Sequence, residues 1–210
     1  MIIGAIASLL SKVALIAMTM VVMGINPLQE ELLAMRESMT YISQFYGKMG
    51  VDSETIKTIS QSFTAMIDML ALIFPAILIL ASLVDTFLCY FMTKVVLGRL
   101  GQKIKDFIPF YLWRLPDYFI PIALGGMLLG MLEAYWPVKV LSTISLNLVA
   151  VSIFAFWIQG FALLAFFLGK YNVPKVFRVF VVFLAFFNPM FSQIIAIAGA
   201  AEIVFNFRHI

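Results

Sequence analysis

Five long apolar stretches determine what this chain can fold into. They cover residues 2–25, 63–97, 118–136, 140–168 and 179–207. About 20 predominantly apolar residues suffice to cross the ~30 Å hydrocarbon core of a bilayer as a helix. With 63% hydrophobic and 12% charged residues, the composition excludes an ordinary soluble domain. The sequence therefore predicts an all-α membrane protein, a single membrane domain over 1–210 with about five transmembrane helices.

A helical hairpin is predicted between the first two apolar stretches, over residues 26–62. Apolar residues alternate every four and three positions on either side of Gly50, which is typical of a coiled-coil seam. Asn26-Pro27 and Asp52 are typical helix starts. The predicted seam consists of Leu28, Leu32, Met35, Met39, Ile42, Tyr46 and Met49, then Ile56, Ile59, Phe63, Met66, Leu70 and Ile73. We expect an antiparallel coiled coil that protrudes about 30 Å from the membrane.

The placement of basic residues predicts the orientation in the membrane. Residues 98–117, called the connector below, carry Arg99, Lys103, Lys105 and Arg114 close behind Lys94, and a second basic connection contains Lys170, Lys175 and Arg178. Cytoplasmic loops carry such an excess of Lys and Arg. Both connections are therefore expected in the cytoplasm with the N-terminus, and the hairpin on the opposite side.

The connector also mixes aromatic residues and prolines around a single arginine. Trp113 and Arg114 lie within the sequence FIPFYLWRLPDYF, a composition that suits the lipid headgroup layer. The flanking spans favour contact with anionic lipids over nucleic acid. Trp113 and Arg114 are therefore candidate contacts for lipid or a partner.

Two helix-packing features stand out in the later spans. Gly126 and Gly130 have the GxxxG spacing that allows two helices to approach closely. Asn188-Pro189 interrupts the last apolar stretch, which predicts either one kinked span or two half-helices folded back as a re-entrant pair. We favour the kinked span, which would place the C-terminus outside, and the alternative would keep it in the cytoplasm.

Several polar residues lie inside the apolar stretches. Polar groups at membrane depth are expensive and often line a substrate pathway, although amides also bridge helices and a carboxyl can be structural. Lys12, in the first span, either reaches the interface or has a functional role. The candidate lining of a polar cavity is Asp85, Asn147, Gln159, Gln193 and Glu202.

No residue pattern indicates an enzyme. The chain has one histidine, His209, and one cysteine, Cys89, which leaves no metal-binding spacing and no intrachain disulfide. Neither a phosphate-binding loop nor a nucleophile with an assigned base is present. We expect no catalytic residues, no metal and no cofactor.

Two functions remain open. The first is transport-related binding of a small molecule by the embedded polar residues. The second is a membrane scaffold that docks another membrane protein, or a second copy of the chain, through the hairpin. Its adaptable residues would be Met35, Met39 and Tyr46.

The chain resembles the YybS-like family of multi-spanning bacterial membrane proteins along nearly its whole length. The resemblance is most specific at Trp113-Arg114-Leu115-Pro116, Gln159-Gly160 and Phe205-Asn206-Phe207-Arg208. It implies location in the bacterial inner membrane and a distant similarity to the substrate-binding S components of energy-coupling-factor transporters. Family members have further spans before the segment matching residues 2–25, so we expect a match to the C-terminal part of a longer architecture.

Overall fold

The computed structural model describes residues 2–102 and 107–208. Lys103, Lys105 and His209 lie outside this range. The described residues form seven α-helices, one short 3-10 helix and no strand. The α-helices are α1 (Ile2–Met23), α2 (Pro27–Lys48), α3 (Ser53–Arg99), α4 (Phe119–Glu133), α5 (Lys139–Lys170), α6 (Lys175–Phe187) and α7 (Pro189–Phe205), and the 3-10 helix is Phe110–Leu112.

The helices group into two compact units, Met1–Gly101 and Gln102–Ile210. In the first unit, α1 and α2 both pack against α3, which continues through Pro75 for 47 residues. The predicted helix starts are confirmed. Asn26 accepts a hydrogen bond from the Leu28 N–H, and Asp52 accepts from the N–H groups of the first turn of α3.

The contact between α2 and α3 differs from the predicted seam. Met39 and Ile67 are its buried residues, whereas Ile42, Tyr46 and Ile59 are about 40% exposed. A coiled-coil interface is therefore not confirmed. An Arg36–Asp68 ion pair of 2.6 Å joins the two helices on one flank.

In the second unit, α5 is the central helix. The 3-10 helix, α4 and α7 pack against it, and α6 packs against α7. The predicted GxxxG contact is confirmed for α4, because the Ser145 hydroxyl of α5 donates to the Gly126 carbonyl at 2.8 Å. A Cβ atom at Gly130 would come within 2.8 Å of the same hydroxyl. Small residues thus allow α4 and α5 to pack closely.

The closest approach of α5 and α7 lies at two further glycines. A Cβ atom at Gly160 would lie 2.0 Å from the Ile195 carbonyl oxygen, and one at Gly199 would lie 2.0 Å from the Phe156 carbonyl oxygen. Backbone therefore lies directly against backbone, with no room for a side chain.

The last apolar stretch is divided into two helices whose axes differ by 98°. Asn188 ends α6, and its side chain accepts hydrogen bonds from the first N–H groups of α7 while Pro189 occupies the first position. The bend of 98° is larger than expected for the single kinked span that we predicted for this stretch.

The predicted count of five transmembrane helices is not confirmed. Among the described residues, three helices are long and apolar enough to cross a membrane: α1, α3 and α5. The bent pair α6–α7 makes four if it counts as one span. The 15-residue α4 is about 22 Å long, which is less than the hydrocarbon core of a bilayer.

Replacing Gly160 with alanine should weaken the packing of α5 on α7. The added methyl group has no space at the Ile195 carbonyl, so we expect a loss of unfolding free energy at or above the ~1–3 kcal/mol typical of overpacking. Gly169→Ala in the same helix is the matched control, because nothing lies within 4 Å of its Cβ position. Reversible unfolding in mixed micelles measures both, and equal effects would contradict this packing.

Candidate functional site

The polar residues predicted to line one cavity have different environments. Asp85, in the first unit, pairs with Lys12 at 2.5 Å, and Lys12 also donates to the Ser8 hydroxyl at 2.8 Å. The pair joins α1 to α3 and gives Lys12 a partner within its own unit. The Asp85 side chain is 50% exposed, and both its functional and its structural role stay predictions.

Two of the predicted amides lie apart from a shared site. The Asn147 side chain donates to the Thr143 carbonyl one turn earlier in α5. Gln193 is exposed on α7. Gln159 and Glu202, by contrast, both belong to a buried polar cluster that holds the connector.

A buried ion pair forms the centre of this cluster. Arg208 Nε donates to Glu202 Oε1 at 2.8 Å, and both side chains are 1% exposed. The second carboxylate oxygen of Glu202 accepts from the Phe207 N–H at 2.9 Å. Asn206 adopts a left-handed conformation with φ 47°, which turns the chain after α7 and brings Arg208 back toward Glu202. A carboxylate buried this deeply is stable only with such partners.

Arg208 uses its remaining nitrogens to hold the connector. Nη1 donates to the Tyr111 carbonyl at 2.7 Å and Nη2 to the Trp113 carbonyl at 2.8 Å. The Trp113 indole N–H donates to the Ile108 carbonyl at 2.8 Å. Gln159 Oε1 accepts from the Leu115 N–H at 2.9 Å. Side chains thus provide the hydrogen bonds that this irregular backbone lacks.

The depth of Gln159 explains why these bonds are needed. Gln159 lies about 17 Å before the end of α5 at Lys170, at roughly 1.5 Å per residue. Gln159 is also about 7 Å from the midpoint of this 32-residue candidate span, which is within the ~30 Å hydrocarbon core when the span is centred in the bilayer. Irregular backbone at such a depth is tolerated only where protein or a water-filled cavity satisfies it.

A cavity of about 400 Å³ lies between the connector and α5. Its wall contains Gln159 and Arg114 together with six apolar residues: Phe107, Ile108, Leu112, Trp113, Leu115 and Ile158. Gln159 is 1% exposed, and its Nε2 has no hydrogen-bond partner among the described residues. A buried donor without an acceptor carries a penalty of about 1–3 kcal/mol. Of the residues predicted to line a polar cavity, Gln159 is found in the described wall of this one.

Arg114 and the aromatic residues complete the wall. The Arg114 guanidinium lies 3.6 Å from the Asp117 carboxylate and is 32% exposed. Trp113 packs edge-on against both Phe107 and Phe110, with ring centroids 5.3 and 5.2 Å apart. The predicted contacts Trp113 and Arg114 therefore belong to the same site as Gln159.

The hairpin residues predicted for docking differ in how accessible they are. Met39 is buried against α3, Met35 is half-buried, and Tyr46 is 39% exposed. Met39 and Met35 thus contribute to the contact within the hairpin, whereas part of Tyr46 is accessible.

Sequence reasoning missed Arg208 and the pairing of Lys12 with Asp85. Arg208 belongs to the family-like segment Phe205–Arg208, which could have marked it as a candidate residue. Its neighbours in the sequence do not indicate that it contacts Trp113 of the connector, 95 residues earlier. Among the described residues, no group of three His, Cys, Asp or Glu side chains could hold a metal ion.

The long apolar helices, the satisfied backbone at membrane depth and the glycine contacts define a multi-spanning α-helical membrane protein. The chain belongs to the family described as Predicted membrane protein (DUF2232), whose model matches residues 1–202. This match confirms the resemblance to the YybS-like family.

One relative covers nearly the whole chain. This is the Uncharacterized protein YybS of Bacillus subtilis (strain 168), which is 25% identical over 209 residues, or 98% of this chain. The chain spans 66% of the length of that relative. No solved structure matches the chain.

Replacing Arg208 with methionine should destabilise the second unit strongly. The change leaves Glu202 buried without its cation and two connector carbonyls without donors, so we expect a loss of about 3–5 kcal/mol. The matched control is Arg36→Met, which breaks a half-exposed ion pair and should change stability by about 1 kcal/mol or less. Unfolding in mixed micelles, with protease cleavage of the connector as a second readout, compares them. A loss no larger than that of Arg36→Met would contradict the bracing role of Arg208.

Proposed function

We propose that this membrane protein binds a small molecule in the cavity between the connector and α5, as part of a transport-related function. The observation that carries the proposal is Gln159, whose buried Nε2 has no acceptor among the described residues. Because Nε2 is fully buried, a ligand atom reaches it only when the connector opens, and accepting from this amide would then remove the penalty of the unpaired donor. The volume of about 400 Å³ lies within the ~300–1,000 Å³ of typical small-molecule sites.

The way the connector is held supports this function. Arg208 donates hydrogen bonds to connector carbonyls, and the Gln159 side chain accepts one from the Leu115 N–H. These side-chain bonds hold the connector, rather than a regular helix or sheet. Such a segment can open by breaking a few contacts, whereas a helix would have to unfold. The similarity to S components noted from the sequence points to the same class of small-molecule binding.

The orientation proposed with this function follows from the basic residues. The Lys170–Arg178 turn and the basic beginning of the connector at Arg99 lie on the cytoplasmic side of the inner membrane, together with the N-terminus, and the hairpin lies on the opposite side. The cavity would then be reached from the cytoplasmic half of the bilayer.

Filling the cavity should remove a bound molecule from the purified protein. We expect native mass spectrometry of protein from its own membranes to show a small-molecule adduct, and Leu112→Trp to lose it because the larger ring occupies the cavity. Leu128→Trp is the matched control, since Leu128 is 60% exposed on α4. No adduct on the wild type, or the same adduct on Leu112→Trp, would contradict the proposal.

We also propose a second function, docking of a partner through the hairpin. It is supported by an exposed apolar flank on the side of the hairpin opposite to a charged one. Arg36 and Asp68 pair on one flank. At 100° per residue, the opposite flank carries exposed apolar residues from both helices: Ile42, Phe45, Met49, Ile59, Met66 and Met69, which are 41–65% exposed. Two such hairpins can bury this flank against each other as a four-helix arrangement. The partner we propose is a second copy of the chain.

Cysteine crosslinking tests this pairing. In a Cys89→Ser background, Phe45→Cys should form intermolecular disulfides in native membranes, because Phe45 would lie at the dimer interface. Lys57→Cys, on the charged flank, is the matched control and should remain monomeric. Equal crosslinking at both positions, or none at Phe45→Cys, would contradict docking by a second copy.

A further inference from the structure

We infer that the face of α1 and α3 around the Lys12–Asp85 ion pair binds a second copy of the chain within the membrane. This face is built from other residues than the hairpin flank and the connector cavity, and the inference rests on neither proposed function. Three observations lead to it: the depth of the ion pair, its exposure, and the donor and acceptor that it leaves unused.

The ion pair lies at membrane depth in both helices. At about 1.5 Å per residue, Lys12 is about 1 Å from the midpoint of α1, which is a candidate span. Asp85 is about 8 Å from the midpoint of the apolar stretch 63–97, which is also within the ~30 Å hydrocarbon core when that stretch is centred in the bilayer. Lipid chains cannot form hydrogen bonds at this level, so charged groups there need protein or trapped water around them.

The first unit leaves this ion pair open on one side. The Asp85 side chain is 50% exposed, and that of Lys12 is 28% exposed. The apolar window of α1 contains no buried residue, so its contact with α3 leaves most of the helix uncovered. A half-exposed carboxylate at this depth indicates that a further helix packs here in the membrane.

The hydrogen bonds of the pair indicate what the covering surface must supply. The Lys12 ammonium has three N–H groups, of which one donates to Asp85 Oδ2 at 2.5 Å and one to the Ser8 hydroxyl at 2.8 Å. Among the described residues, nothing accepts from the third N–H and nothing donates to Asp85 Oδ1. The covering surface therefore has to supply one acceptor and one donor.

A second copy of the chain supplies this combination. In a two-fold symmetric interface, both subunits use the same patch, so each contact occurs twice. When the unused N–H of Lys12 donates to Asp85 Oδ1 of the second copy, the reciprocal bond forms as well, and the four charges make a ring of alternating sign. A helix of a single charge sign would satisfy only one of the two groups, which favours a second copy as the partner.

Apolar side chains beside Asp85 complete the surface. Leu88, Cys89 and Met92 follow Asp85 by three, four and seven residues and therefore lie on the same side of α3. Leu88 is 53% and Met92 is 64% exposed, and Cys89 is exposed as well. The native cysteine thus lies one helical turn from the proposed contact.

Oxidation of Cys89 tests the contact in the unchanged protein. In native membranes treated with copper–phenanthroline, the wild type should form a disulfide-linked dimer on a non-reducing gel. The matched control is Leu83→Cys in a Cys89→Ser background. Leu83 is 46% exposed but lies about 160° from Asp85 around α3, so this variant should remain monomeric.

Removal of both charges tests the ring itself. Lys12→Leu combined with Asp85→Leu should leave unfolding in mixed micelles unchanged, because apolar replacements of an ion pair are often neutral for stability. The dissociation constant of the dimer, measured by energy transfer between labelled copies during dilution in liposomes, should rise about ten- to hundred-fold through the loss of two interhelical polar contacts. Arg36→Gln combined with Asp68→Asn removes another ion pair of the first unit and should leave this constant unchanged.

Three results would overturn the inference: no Cys89 dimer, equal crosslinking of Leu83→Cys and the wild type, or unchanged dimerisation of the variant with both leucines. A less stable leucine variant that still dimerises would assign the ion pair to the contact of α1 with α3 alone. Where this variant does not fold, the Cys89 dimer of the unchanged protein decides. The Phe45→Cys experiment on the hairpin is made without Cys89, so the two surfaces are tested separately.

Discussion

The need to satisfy every backbone hydrogen-bonding group away from water governs the second unit. The connector contributes irregular backbone at the level of Gln159, where lipid offers no partners. Arg208, Gln159 and the Trp113 indole supply them from three different parts of the chain. Glu202 in turn compensates the charge that Arg208 brings into the interior. A polar cluster at membrane depth therefore has a complete structural explanation, except for one amide nitrogen.

That remaining nitrogen is the reason why we propose a binding function for this cluster in addition to structural bracing. Both carboxylate oxygens of Glu202 and all three side-chain nitrogens of Arg208 have hydrogen-bond partners within the protein. Their burial therefore needs no ligand. Gln159 makes one hydrogen bond with its oxygen and none with its nitrogen among the described residues, beside a cavity. In the function we propose, the same residue would stabilise the connector with its oxygen and bind a small molecule with its nitrogen.

Features encoded locally could be predicted from the sequence, and those that depend on distant contacts could not. The caps at Asn26 and Asp52 and the packing role of Gly126 follow from short patterns. Arg208 meets Tyr111 across a separation of 97 residues, and neither residue signals the other. The predicted coiled-coil seam is not confirmed, since Ile59 and Ile42 are each 41% exposed. Gln159 could be predicted as a candidate because a polar amide stands out in an apolar helix. That its oxygen is hydrogen-bonded while its nitrogen is not depends on the fold and could not be predicted.

The unbroken course of α3 has a mechanical consequence. Its 47 residues measure about 70 Å, well beyond the ~40–45 Å of a whole bilayer with its headgroups. A continuous helix of this length can act as a lever, because a tilt of about 10° within the lipid would displace a point about 30 Å outside it by roughly 5 Å. A change of tilt would thereby be magnified at the distant end of α3.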